Sequence, residues 1–140
     1  MKRAIVDAGP LVTFCDRRDS RHGWVVETFK NVRGPLLSCE AALAEALYLT
    51  RHRADMQDAL LAMIAAGMIA LPFTLEREVE RIRELRRQYH TVPMSLADAC
   101  LVRLAEVFDD HHVCTFDSDF TIYRKHGQET ISLISPEPEQ

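Results

Sequence analysis

An α/β fold, with a parallel sheet covered by helices on both faces, is the architecture this sequence predicts. Three observations predict it. Short apolar runs such as RAIVD (3–7) and VCTF (113–116) have the composition of buried strands. They alternate with longer helical stretches bounded by capping residues and by Gly. The 140 residues, 47% hydrophobic and 27% charged, suffice for one compact domain and are short for two. That domain is expected over 1–135, with 136–140 of the acidic, Pro-containing tail disordered.

Taken in order, RAIVD (3–7) is the first strand. The helix LVTFCDRR (11–18) follows, started by Gly9 and Pro10 as cap and first helical position, so that Asp7 is not needed as a cap. HGWVVETFKNV after Ser20 is a second short helix, and PLLS (35–38) a second strand. CEAALAEALYLTRHR (39–53) is strongly helical. MQDALLAMIAAG (56–67) is another helix, with Asp55 as its cap and Gly67 as its stop. IALPF (69–73) is a strand. Thr74 caps the helix 75–90, whose apolar stripe runs through Leu75, Val79, Ile82, Arg86 and Tyr89. Ser95 opens the helix LADACLVRLAEVF with Asp98 three residues on, a capping-box pattern. HVCTF (112–116), a short helix FTIYRKH (120–126) and a last strand TISLI (130–134) complete the chain.

Composition narrows the function. No apolar run reaches the roughly 18 residues of a membrane span, and the N-terminus lacks the apolar core of a signal peptide, so a cytoplasmic protein is expected. Cys15, Cys39, Cys100 and Cys114 contain no CxxC and lie in apolar segments, which reads as core packing and not as disulfides or zinc. His111 and His112 are adjacent on a strand, so they face opposite ways and do not form a shared ligand pair. The net charge of −4 excludes a generally basic coat for nucleic acid but leaves room for a local one.

The chemistry lies in the acids. In sheets of this class the crevice forms outside the carboxyl ends of the strands. Asp7 ends the first strand there and Asp117, with Asp119 two residues on, ends the fourth. Glu45 is the only charge in AALAEALYL (41–49), and Asp98 sits in the first turn of its helix. Each has a plain structural reading: Asp98 as capping-box partner, Asp117 or Asp119 as cap of the following turn, Glu45 on the solvent side of a small-residue helix. Together they have one common explanation, a divalent cation held by oxygen ligands only, which favours Mg²⁺ or Mn²⁺.

The order IVDAGPL, ALAEALYL, SLADACLVRLAE, TFDSDF resembles the PIN-domain family, most closely its VapC-like toxin branch, over nearly the whole chain. The resemblance implies a three-layer α/β/α domain acting as a Mg²⁺- or Mn²⁺-dependent ribonuclease, the toxin of a toxin–antitoxin pair. It places the catalytic acids on Asp7, Glu45, Asp98 and Asp117. The metal ligands fall on Asp7, Asp98 and Asp117, with Asp119 as a further or alternative ligand, and a supporting hydroxyl on Thr115. It further implies single-stranded or looped RNA as substrate, a homodimer to which the apolar stretch 59–70 lends surface, and a small antitoxin whose flexible segment plugs the acidic cleft with an Arg. One position departs: many relatives carry Ser, Thr or Asn two places after the first Asp, where this chain has Gly9.

Fourteen of the 17 basic residues are Arg, the side chain suited to bidentate phosphate contacts. The Arg and Glu residues of 75–89 are interleaved as on a solvated, salt-bridged helix. Arg17, Arg18 and Arg21, just beyond the first acidic loop, are the better substrate-binding candidates. No aromatic platform for bases is evident. Two other readings are a housekeeping PIN nuclease of RNA processing and a non-catalytic acidic-site module of the phosphoacceptor type. The latter expects an acidic pair after the first strand, where only Asp7 stands.

Overall fold

The computed structural model describes residues 1–136. Its centre is a five-stranded parallel sheet of β1 (Arg3–Val6), β2 (Leu36–Leu37), β3 (Ile69–Ala70), β4 (His111–Cys114) and β7 (Leu133–Ile134), in the order β3-β2-β1-β4-β7. β1 occupies the middle, with Ile5 opposite Val113 on one side and Leu37 on the other. Alternate residues of each strand enter opposite cores, as the pleat requires. Ile5, Leu37 and Val113 pack against α5 (Leu75–Gln88) and α6 (Leu96–Val107). Ala4, Val6, Leu36 and Cys114 pack against α1 (Ala8–Phe14) and α4 (Ala54–Ala65). α3 (Glu40–Leu49) serves both cores, Ala42 in the first and Leu43 and Ala46 in the second, while α2 (His22–Lys30) flanks α1. The three layers expected from the sequence are present. None of the described helices is long and apolar enough to cross a membrane.

Several elements differ from expectation, each for a local reason. The first helix begins at Ala8, and Asp7 is its cap: with φ −78° and ψ 167° its carboxylate accepts the Ala8 amide at 2.7 Å. Gly9 and Pro10 lie inside the first turn, where a missing N–H costs nothing. Asp55 is not the cap of α4. That place is Arg53, whose guanidinium instead meets the Asp55 carboxylate at 3.0 and 3.1 Å. The helix expected over 120–126 is one 3₁₀ turn, Ser118–Thr121, followed by β5 (Arg124–Lys125) and β6 (Glu129–Thr130), a hairpin. His126 at φ 52° and Gly127 at φ 81° make its bend, and burial of both Phe120 and Tyr123 sets its start. The last sheet strand accordingly keeps only Leu133 and Ile134.

On α5 the buried positions are Ile82 and Leu85, with Tyr89 just beyond, while Leu75 and Val79 are 40% and 39% exposed. The helix is anchored by charge as well. Arg81 reaches Glu106 of α6 with two bonds, at 2.8 and 2.9 Å, and Arg103 of α6 reaches Glu78 at 2.6 Å. Glu78 and Arg81 thus belong to a cross-helix network, whereas pairs such as Arg83–Glu80 are solvated. Of the cysteines, Cys39, Cys100 and Cys114 are buried, all four are free thiols, and burial pushes the Cys114 thiol up to about 12. The expected tail disorder falls on 136–140, of which 137–140 lie outside the described residues.

Candidate active site

The parallel sheet brings the acids to one edge. Because β1 and β4 are adjacent and in register at Val6 and Cys114, the residues that follow them leave the sheet side by side. The Asp7 amide donates to the Cys114 carbonyl at 3.0 Å, extending the ladder by one step. Thr115 then joins the two loops. Its hydroxyl donates to Asp7 Oδ2 at 2.8 Å and accepts the Asp117 amide at 2.9 Å, and Thr115 itself is buried. Asp117 caps the 3₁₀ turn, accepting the Asp119 amide at 2.9 Å. Thr115 thereby links Asp7 to the Asp117 loop.

Asp98 arrives from the first turn of α6. Ser95 and Asp98 form the capping box in full: the Asp98 amide donates to Ser95 Oγ at 3.0 Å, and Asp98 Oδ2 accepts the Ser95 amide at 3.1 Å. The same Oδ2 accepts the Tyr123 hydroxyl at 3.2 Å. Tyr123 is fully buried, in edge contact with Tyr89 and Phe120, so it holds Asp98 rigidly. Sequence reasoning missed this residue. A tyrosine 25 positions from its partner leaves no local pattern.

Charge in this crevice is uncompensated. Asp7 and Asp98 are each only 8% exposed. Burial raises the Asp7 carboxyl above its ordinary range, against the bonds from Thr115 and Ala8, and the charges of Asp98 and Asp117 raise it further. Burial likewise raises Asp98, opposed by the Ser95 and Tyr123 bonds and assisted by Asp117. Glu45, exposed on α3 at the mouth, is raised by partial burial and then by Asp7, Asp98 and Asp117. Asp119 is one backbone bond away, and its charge is felt by Tyr123. Among the described residues, no Lys or Arg is salt-bridged to any of these five carboxylates, although eight other acids of the chain are paired with basic side chains. Convergent carboxylates without a protein cation are the donor set of a hard divalent ion. A separate group, Asp109, His126 and Glu129, is exposed, with ligand atoms within 4.8 Å of one another, and Asp109 is already bonded to Lys125 at 2.7 Å. It has no such need.

The three arginines separate. Arg17 and Arg18 line a recess with Asp16, Arg53, Asp55 and Met56. Arg21 alone reaches the acidic loop, its guanidinium 3.8 Å from the centroid of the Phe116 ring.

No family model matches the chain, and no curated protein matches it either. Among solved structures the fold is similar to that of Mycobacterium tuberculosis VapC20, a sarcin-ricin loop cleaving toxin, with a TM-score of 0.75. The match covers 85% of this chain and 93% of that one at 17% identity. The chain therefore shares its fold with that toxin, the three-layer α/β arrangement expected from the sequence.

Proposed function

We propose that the protein is a divalent-metal-dependent endoribonuclease, the toxin of a toxin–antitoxin pair acting on RNA in the cytoplasm. The observation that carries this reading is the set of carboxylates, Asp7, Glu45, Asp98, Asp117 and Asp119, gathered at the sheet edge without a basic partner on the fold of an RNA-cleaving toxin. Asp7, Asp98 and Asp117 would hold Mg²⁺ or Mn²⁺, with Asp119 beside them. A cation bound there supplies charge for the phosphate oxygens and lowers the pKa of a water.

The protein's own groups do the rest. Thr115 sets Asp7 and the Asp117 loop in mutual register, while Ser95 and Tyr123 fix Asp98 Oδ2. Glu45, with its carboxyl held above the ordinary range, takes the proton from the water that attacks phosphorus. No side chain becomes a nucleophile.

A partner is part of the reading. A groove of about 410 Å³ between Cys39, Ala41, Phe73, Leu75, Leu96 and Cys100 is apolar and opens beside the first turn of α6, two residues from Asp98. We assign it to an apolar anchor of the antitoxin, whose basic residue enters the acidic cleft. The exposed Leu61 and Met68, in and just after α4, serve a homodimer.

Metal binding has a thermodynamic signature. Burial first, and the neighbouring carboxylates second, put the folded-state pKa values of Asp7 and Asp98 above their unfolded values, so the cost of ionising them is absent below ordinary carboxylate pKa values, grows through the raised ones and is complete above them. Mg²⁺ or Mn²⁺ is therefore expected to raise the melting temperature at pH 7 to 8 by an amount that grows with ion concentration. The rise should vanish in Asp98→Asn. Equal melting curves for wild type with EDTA and with millimolar Mn²⁺ would contradict a shared metal site.

A further inference from the structure

Phe116 stands between Thr115 and Asp117 in the acidic loop, yet its own side chain is apolar and only half-buried. The ring is seated on the backbone of α1. A Cβ at Gly9 would lie 3.0 Å from Phe116 Cδ2, so a side chain there would push the ring by a few tenths of an ångström. Trp24 of α2 tilts against the same ring, with centroids 5.9 Å apart at 51°. Arg21 covers it: the guanidinium carbon is 3.8 Å from the ring centroid, within stacking distance.

Arg21 is also tethered. Its amide donates to Asp19 Oδ1 at 2.8 Å and its Nε lies 3.6 Å from the same oxygen. Asp19 Oδ2 in turn accepts the hydroxyl of the buried Thr13 at 3.2 Å. The side chain nevertheless remains 48% exposed. A guanidinium backed by an aromatic ring, part-neutralised by a carboxylate and open on its outer side is better suited to stacking than to holding a phosphate by charge.

We propose that Arg21, backed by Phe116 and Trp24, is a nucleobase-stacking subsite that seats one unpaired base of the substrate strand beside the acidic cluster. The proposal rests on the ribonuclease reading and makes Arg21 a positioning residue. It also gives Gly9 a role, because a Cβ there would press on the ring that supports the stack.

The test is fluorescence anisotropy with a labelled single-stranded RNA octamer in EDTA, compared with a series of octamers each carrying one abasic site. With the wild-type protein, one abasic position should weaken binding about tenfold, the size of one stacking contact. In Arg21→Lys, which keeps the charge and lies on the surface, that position should lose its effect while the salt dependence of binding stays as in wild type. Gly9→Ser should behave like Arg21→Lys. A flat abasic series, an equal abasic penalty in wild type and Arg21→Lys, or no measurable wild-type binding overturns the proposal. Cleavage of RNA by the wild type with Mg²⁺, measured in parallel, reports separately on the ribonuclease reading. Cleavage with a flat abasic series removes the stacking subsite alone. A stacking signature without cleavage removes the nuclease and leaves the subsite.

Discussion

Asp98→Asn protein is expected to cleave RNA at least about a thousandfold more slowly than wild type, the loss of several kcal/mol of transition-state stabilisation. The substitution is nearly isosteric. An Asn oxygen still accepts from the Ser95 amide and the Tyr123 hydroxyl, so the capping box and the buried tyrosine stay in place. What is removed is one negative charge from a crevice where Asp7 and Asp117 already repel it. The metal-free variant should therefore melt no lower than wild type at neutral pH, and its stability should rise less on acidification, because the group with the raised folded-state pKa is gone. Single-turnover cleavage together with a pH series of thermal melts in EDTA checks both halves. Wild-type cleavage rates in this variant would take Asp98 out of the chemistry. A large fall in melting temperature would show that its charge supports the fold instead.

Glu106→Gln tests the opposite edge of the same helix, and its expected effect falls on stability. The Glu106 side chain is 1% exposed, accepts two bonds from Arg81 and one from Arg103, and also takes the His126 amide. Burial alone would raise its carboxyl. The bonds from Arg81, His126 and Arg103 outweigh burial and hold it below the ordinary value. Breaking a buried pair from one side strands the other partner, at a cost of about 3–5 kcal/mol and a fall in melting temperature on the order of 10 °C. Here the pH sign is reversed relative to Asp98. A depressed folded-state pKa stabilises above the unfolded value and is lost as pH falls through the folded one, so the variant should lose the part of the acid-side destabilisation that Glu106 causes. Cleavage at low temperature should be unchanged, since Glu106 lies in the last turn of α6, at the other end of the helix from Asp98. Denaturant melts at pH 7 and pH 4 measure the effect, and equal stability of variant and wild type at pH 7 would contradict the network.

The acids were legible in the sequence because their positions follow from chain order. Asp7 comes directly after β1 and Asp117 three residues after the end of β4, and a parallel sheet puts all strand C-termini on one edge. Asp98 announced itself through Ser95, whose capping role fixed both the start of α6 and the direction of the carboxylate. The supporting contacts were not legible. Tyr123 meets Asp98 only because Phe120 and Tyr123 are both drawn into the core, which turns an expected helix into a 3₁₀ turn and a hairpin. Phe116 looked like the last residue of a buried strand. The strand stops at Cys114, and the ring instead leaves the sheet toward Gly9 and Arg21. Likewise the basic pair Arg17–Arg18 stood close to the acids in sequence, but α1 ends at Phe14 and the following turn carries them toward α4. The single caps of α1 and α4 were misread, but where a residue's place followed from strand order or from a full capping box, as at Asp98, the sequence displayed it. Where the role depended on which side chain a distant core residue pushed aside, it did not.

The central claim is that the carboxylates gathered around Asp7 form a metal-dependent site for RNA hydrolysis. Incubating the purified protein with total RNA, with Mg²⁺ and with EDTA, and mapping new 5′ ends by sequencing tests it most directly. The expected result is a small set of discrete cleavage sites in single-stranded or looped segments that appear with Mg²⁺, disappear with EDTA and are absent with Asp98→Asn. Identical end maps with and without Mg²⁺, or cleavage that persists in Asp98→Asn, would contradict it.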